Sequence, residues 1–266
     1  RQVLLHEPRH QEAFADLCDI LEQRHDKAAK ADLYQQRVLV AEASERLFLR
    51  IELLPLLSEA LGDTVGAQDH ALALLEEAGS DEKARSFVTD LYRNCPETRS
   101  AIHAPLFEAL VADGRYGEAD ETLSLVLEVE QDDGTRCSYW REQIHIRREQ
   151  LDSATGAVES AIAMLSEAPA EFDILDLTLE MGVGLETSAA VAMVEALHEV
   201  VVDGSMPDEV RAGFASRVVM REVELQLFDQ ALALYRTAYR SAPADESHAD
   251  SALAFCREQN LQEDLV

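Results

Sequence analysis

The chain has 266 residues, with 52 acidic side chains against 23 basic ones and a formal net charge of −29 at pH 7. Such a field repels nucleic-acid phosphates and anionic membrane surfaces, so neither is an expected partner, whereas a basic protein would be drawn in. Its apolar runs fall short of the roughly 18 residues needed to span a membrane, no stretch resembles a signal peptide, and the four scattered cysteines, Cys18, Cys95, Cys137 and Cys256, suit a reducing, cytoplasmic setting.

Abundant Ala and Leu, sparse aromatics and the lack of alternating Val/Ile/Thr runs favour helices throughout. His6-Glu7-Pro8-Arg9-His10 formally fits the zinc-protease pattern HExxH, but Pro8 breaks the helix that would bring both histidines to one face. His6 and His10 are therefore expected in a loop, and no metal site is expected. Glu12 to Arg24 places Phe14, Leu17, Cys18 and Leu21 along one stripe. His25-Asp26 turns into a partner helix from Ala28 to Ala41. Ser44 is placed to cap a helix running toward Leu61, with a kink expected at Pro55. Gly62-Asp63 ends it and Val65 to Ala78 pairs back. An extra helix near 81–93 starts at Asp81 and closes before Pro96. Arg99 to Ala112 and Gly117 to Glu130 form a helical hairpin. Asp132-Asp133-Gly134 reads as a turn, Arg136 to Leu151 carries Trp140, and Asp152 to Thr155 turns again. Glu171 to Met181 ends at Gly182-Val183-Gly184, where a hinge is expected. Thr187 to Val202, Asp208 to Leu227, Asp229 to Arg240 and His248 to Glu258 complete the helices.

In the stretch from Phe228 to Pro243, Ala231, Tyr235 and Ala238 recur at helical steps and Pro243 follows five residues later. Ala157, Ala161, Met164 and Pro169 keep the same spacing. Gly114, Tyr116, Ala119, Leu123 and Val126 form a third copy, and weaker copies start at Ala67 and Ala189. This small–large–small–Pro order resembles the second helix of a tetratricopeptide repeat (TPR), a family with a period of about 34 residues. The glycine usual near the middle of the first helix is replaced by Pro55, Phe107 and Val219, so the resemblance is to a divergent, bacterial-type TPR array. It implies an all-α fold, an α-solenoid of antiparallel helix pairs running as one domain over residues 1–266. About six helix-turn-helix units are expected besides the extra helix. Both ends fall inside a repeat without a clear polar capping face, which implies a segment of a longer array.

The histidines are spread singly, and neither a glycine-rich phosphate loop nor a nucleophile elbow is present. The adjacent acids Glu76-Glu77 and Asp132-Asp133 do not converge on a helix face. No enzyme activity and no cofactor are expected. The resemblance implies instead that first helices line a concave groove. Its ligand-contact offsets fall on Glu52, Glu59, Glu108, Glu142, Glu149 and Glu224, an acidic stripe in which Glu52/Glu59 and Glu142/Glu149 stand one heptad apart. Trp140 reads either as a packing residue or as a ligand anchor. TPR domains that clamp a C-terminal carboxylate use Lys, Arg and Asn at such places, so that function is not carried over. The expected function is a non-enzymatic scaffold binding a partner protein or peptide, a basic one if the stripe is used. The alternative is a sensor segment controlling an effector enzyme or transcription regulator through a curvature change near 182–184. The acidity, with only Lys27, Lys30 and Lys83 as lysines, also fits adaptation to a salty cytoplasm.

Overall fold

The computed structural model describes residues 2–202 and 206–259, and among these every regular element is a helix. The fold is all-α. It divides into two compact units, residues 1–132 and 133–266.

Unit 1 contains α1 (Gln2–His6), α2 (Gln11–Gln23), α3 (Lys27–Val38), α4 (Ala43–Pro55), α5 (Thr64–Ala78), α6 (Glu82–Asn94), α7 (Arg99–Ala112) and α8 (Tyr116–Leu127). Unit 2 contains α9 (Asp133–His145), α10 (Ala154–Glu167), α11 (Phe172–Val183), α12 (Thr187–Val202), α13 (Asp208–Glu224), α14 (Phe228–Ser241) and α15 (Glu246–Glu258). Within each unit a helix packs on the next along the chain, and several also reach the next but one: α4 on α6, α5 on α7, α10 on α12, α11 on α13 and α12 on α14.

Short polar side chains start these helices by accepting from backbone N–H groups that have no partner within the helix. Asp26 accepts from Ala29 N at 3.0 Å, Asp63 from Gly66 N at 2.9 Å, Asp81 from Ala84 N at 2.9 Å and Ser153 from Gly156 N at 3.3 Å. His10 does the same for α2, its Nδ1 accepting from Ala13 N at 3.2 Å. The HExxH string is thus split between the end of α1, a turn at Pro8 and the cap of α2. Ser44 lies inside α4, and the N-cap falls on Glu42, whose side chain makes no capping bond. Gly62 and Gly114 take left-handed φ values of 68° and 72° where α-helical direction must end.

The expected kink at Pro55 takes a different form. Pro55 closes α4 and the chain continues as a π-helical turn over Leu56–Leu61. Proline has no N–H for the ladder, and the wider i→i+5 turn that follows carries the helix past the defect. A second π turn, Ile146–Gln150, continues α9. That helix begins at Asp133, so Asp133-Gly134 belongs to its first turn.

The small residues at the repeat positions mark close helix crossings. Ala67, Ala119, Ala157, Ala161 and Ala231 have no exposed surface, and Ala238 and Tyr235 are buried with them. On α12 the register is shifted by one: Ala190 is buried with Met193 and Leu197, whereas Ala189 is partly exposed. Tyr116 is partly exposed at the start of α8. Pro169 and Pro243 each stand in the turn that follows a helix, α10 and α14 respectively.

Gly182 is not a loose hinge point. It is buried in the last turn of α11, where a Cβ would come within 2.4 Å of Met193 Cε, and its carbonyl accepts from Arg221 at 3.0 Å. Glycine here permits close approach of α11 to α12.

Buried arginines tie helix ends together. The Arg99 guanidinium donates to the carbonyls of Tyr92 (3.2 Å) and Arg93 (3.1 Å) at the end of α6, to that of Leu125 (3.1 Å) in α8, and to Glu128 (2.7 Å). Arg85 donates to the Gly79 carbonyl at 2.8 Å and to Asp113 at 2.5 Å. Arg37 binds Glu45 at 2.7 Å and the Pro8 carbonyl at 2.6 Å. Terminal carbonyls of a helix carry partial negative charge, which a planar five-donor cation satisfies better than an ammonium would.

Candidate functional site

All six groove candidates are exposed. Glu52 lies on α4, Glu59 on the π turn after it and Glu108 on α7, all in unit 1. Glu142 lies on α9, Glu149 on the second π turn and Glu224 at the end of α13, in unit 2. Glu149 pairs with its neighbour Arg148 at 3.2 Å and Glu224 with Arg221 at 2.6 Å. Among the described residues Glu52, Glu59, Glu108 and Glu142 make no ion pair. Both heptad-spaced pairs straddle an α-to-π junction. The π turn advances fewer degrees per residue than the 100° of an α-helix, so Glu59 and Glu149 lag the positions an unbroken helix would give them.

Trp140 is half-buried against the unit 2 core, and its indole N–H donates to Glu167 Oε2 at 3.1 Å. Arg136 holds the same carboxylate at 3.0 and 2.6 Å. The tryptophan therefore stitches α9 to the end of α10. Next to it Arg141 bridges Glu171 at 2.5 Å and Asp173 at 2.7 Å.

Glu77 on α5 joins its helix to α4. It accepts from Arg46 at 2.9 Å and Arg50 at 3.1 Å, and Arg50 Nη1 lies 3.0 Å from His70 Nδ1. A guanidinium only donates, so His70 must accept at Nδ1 and carry its hydrogen on Nε2. Burial and the Arg50 charge both push the His70 pKa down, keeping the ring neutral. Arg50 and His70, with Asp32, Gln35, Gln36 and Asp69, line a depression of about 420 Å³ between α3, α4 and α5.

The titratable pair that sequence reasoning missed is in unit 2. His198 Nδ1 on α12 lies 2.8 Å from Oε1 of Glu222 on α13. Glu222 has no exposed surface, and its Oε2 is buried without a hydrogen-bond partner. Burial raises the Glu222 pKa, and the bond and charge of His198 offset only part of that. A signal for it existed: Ala215, Val218 and Glu222 share the i, i+3, i+7 stripe that faces the core.

Among the described residues no group of three or more His, Cys, Asp or Glu side chains is arranged to hold a metal ion, and no helix is long and apolar enough to cross a membrane. Cys18, Cys95, Cys137 and Cys256 are free thiols.

No protein-family model matches the sequence, and no curated protein matches it. In solved structures 26 chains match. One, described as "Computational Design of Self-Assembling Cyclic Protein Homooligomers", is similar over 95% of this chain and 96% of that chain, at 11% identity and a TM-score of 0.16. At that score nothing about this chain follows from the likeness.

Proposed function

We propose that the chain is a non-enzymatic scaffold of TPR-like helix pairs that holds a basic segment of a partner protein. The observation that carries this reading is an imbalance in how charge is used. Arg37, Arg85 and Arg99 are turned inward onto backbone carbonyls and single carboxylates. Glu52, Glu59, Glu108 and Glu142 stay exposed without a counter-ion among the described residues. In each unit, uncompensated acids on rigid helices attract cations, chiefly through a long-range field that salt screens.

The test is capture of partners at two salt concentrations, alongside a variant with Glu52→Gln, Glu108→Gln and Glu142→Gln. A basic partner lost at high salt, and weakened by the triple change, is expected. Binding indifferent to both would remove the acidic surface from the mechanism. The regulatory alternative relied on movement near residues 182–184, and the packing of Gly182 against Met193 takes support from it.

A further inference from the structure

A cavity of about 560 Å³ opens between α10 and α12 in unit 2. Its wall includes Ile162, Ala196, Val200 and Met206, and its polar groups are Ser166, His198 and Glu199. Ser166 already donates its hydroxyl hydrogen to the Ile162 carbonyl at 2.9 Å, so it has only acceptor capacity left. Glu199 is an exposed acceptor. Among the described side chains that line it, the one candidate donor is His198, and Glu222 decides which way it works.

One proton sits between Nδ1 and Glu222 Oε1, whichever atom carries it. If Nε2 also keeps its hydrogen, the pair is neutral overall. If Nε2 loses it, the pair has a net negative charge centred on a carboxylate with no exposed surface and one unpartnered oxygen. Burial opposes that charge, and the raised Glu222 pKa has the same origin. The two N–H directions of an imidazole diverge, so Nε2–H points away from Glu222.

We propose that this cavity is a peptide-anchoring pocket in which an aliphatic side chain of the partner fills the apolar wall, a backbone carbonyl beside it accepts from His198 Nε2–H, and a flanking Lys or Arg meets Glu199. The proposal rests on the scaffold reading above and gives that reading an anchor. An anionic ligand is disfavoured by Glu199 and by the net charge of −29. A neutral amide carbonyl flanked by a cation fits the described polar side chains, His198 as donor and Ser166 and Glu199 as acceptors.

The test uses two capped tripeptides, acetyl-lysyl-leucyl-arginine amide and its seryl counterpart, titrated into the full chain at low and high salt. The readouts are affinity and the ring Cε1–H NMR resonance of His198, assigned by its disappearance in His198→Phe. The leucyl peptide is expected to move that resonance saturably and to bind roughly tenfold more tightly than the seryl one, the effect of burying one aliphatic side chain. Ala196→Phe, which fills the cavity and leaves His198 and Glu222 intact, should abolish the shift. Equal, salt-sensitive binding of both peptides with His198 unmoved would overturn the pocket and leave the acidic scaffold standing. A His198 shift insensitive to salt would support the pocket and remove the acidic attraction. Binding of neither peptide at low salt would overturn both.

Discussion

The Tyr92 hydroxyl lies 3.0 Å from Nδ1 of His103 inside unit 1. The same hydroxyl is 2.9 Å from the Thr122 carbonyl, which can only accept, so Tyr92 donates there and His103 must donate from Nδ1. Burial lowers the His103 pKa to about 4.

That depression has a definite sign. Between its ordinary value near 6.5 and about 4, the unfolded chain binds a proton at His103 and the folded chain does not. The stability due to this site is full above pH 6.5 and is lost as pH falls toward 4, by about 3 kcal/mol over the whole window. Urea unfolding at pH 7, 5.5 and 4 should show a smaller acid loss in His103→Gln than in the native chain. Equal slopes in the two would mean that the ring titrates normally.

Arg99 should resist its closest substitute. In Arg99→Lys one ammonium must replace donors to the Tyr92, Arg93 and Leu125 carbonyls and to Glu128, and it has neither the fork nor the reach. A loss of about 2 kcal/mol is expected, with little dependence on salt because Arg99 is buried and its partners other than Glu128 are neutral carbonyls. Denaturation at low and high ionic strength measures both parts, and an unchanged midpoint would contradict the tethering role.

Ala231 has no exposed surface where α14 packs on α13. Ala231→Arg forces a long cation into that crossing and should cost more than about 3 kcal/mol through overpacking and charge burial. Thermal unfolding decides it: a melting temperature equal to the parent's would mean that this face is not a tight crossing.

Gln226, between α13 and α14, has a φ of 63° and an exposed side chain. A left-handed conformation costs a residue with a Cβ about 1 kcal/mol, partly offset by the backbone entropy glycine loses on folding. Gln226→Gly should therefore stabilise the chain by about 0.5 kcal/mol, and Gln226→Ala should not. A destabilised glycine variant would show that the Gln226 side chain contributes contacts beyond the turn.

Helix positions were legible because periodicity and caps agree locally. Arg99–Ala112 and Thr187–Val202 fall at the bounds their apolar spacing marks, and Asp26, Asp63 and Asp81 cap where their positions suggest. Pro55 marked a defect in its helix without saying that a π turn follows, and the π turn after His145 left no trace at all, since a change of hydrogen-bond ladder need not alter composition. Ala189 and Ala190 are chemically identical neighbours, so only packing could choose between them. Gly182 illustrates the same limit: glycine serves flexibility and close approach alike, and Met193 lies far from it in sequence. For the candidate site, exposed acids were expected throughout, and Glu222 hid among them although its stripe is apolar.

The reliance on guanidinium groups also governs what can be done chemically to the molecule. Lys27, Lys30 and Lys83 all fall in unit 1, on α3 and α6, and residues 133–266 contain no lysine. Acylation, ubiquitin attachment or amine-directed cross-linking therefore finds no side-chain target in the second unit. Any covalent signal written on lysine within this sequence is confined to two helices of the first.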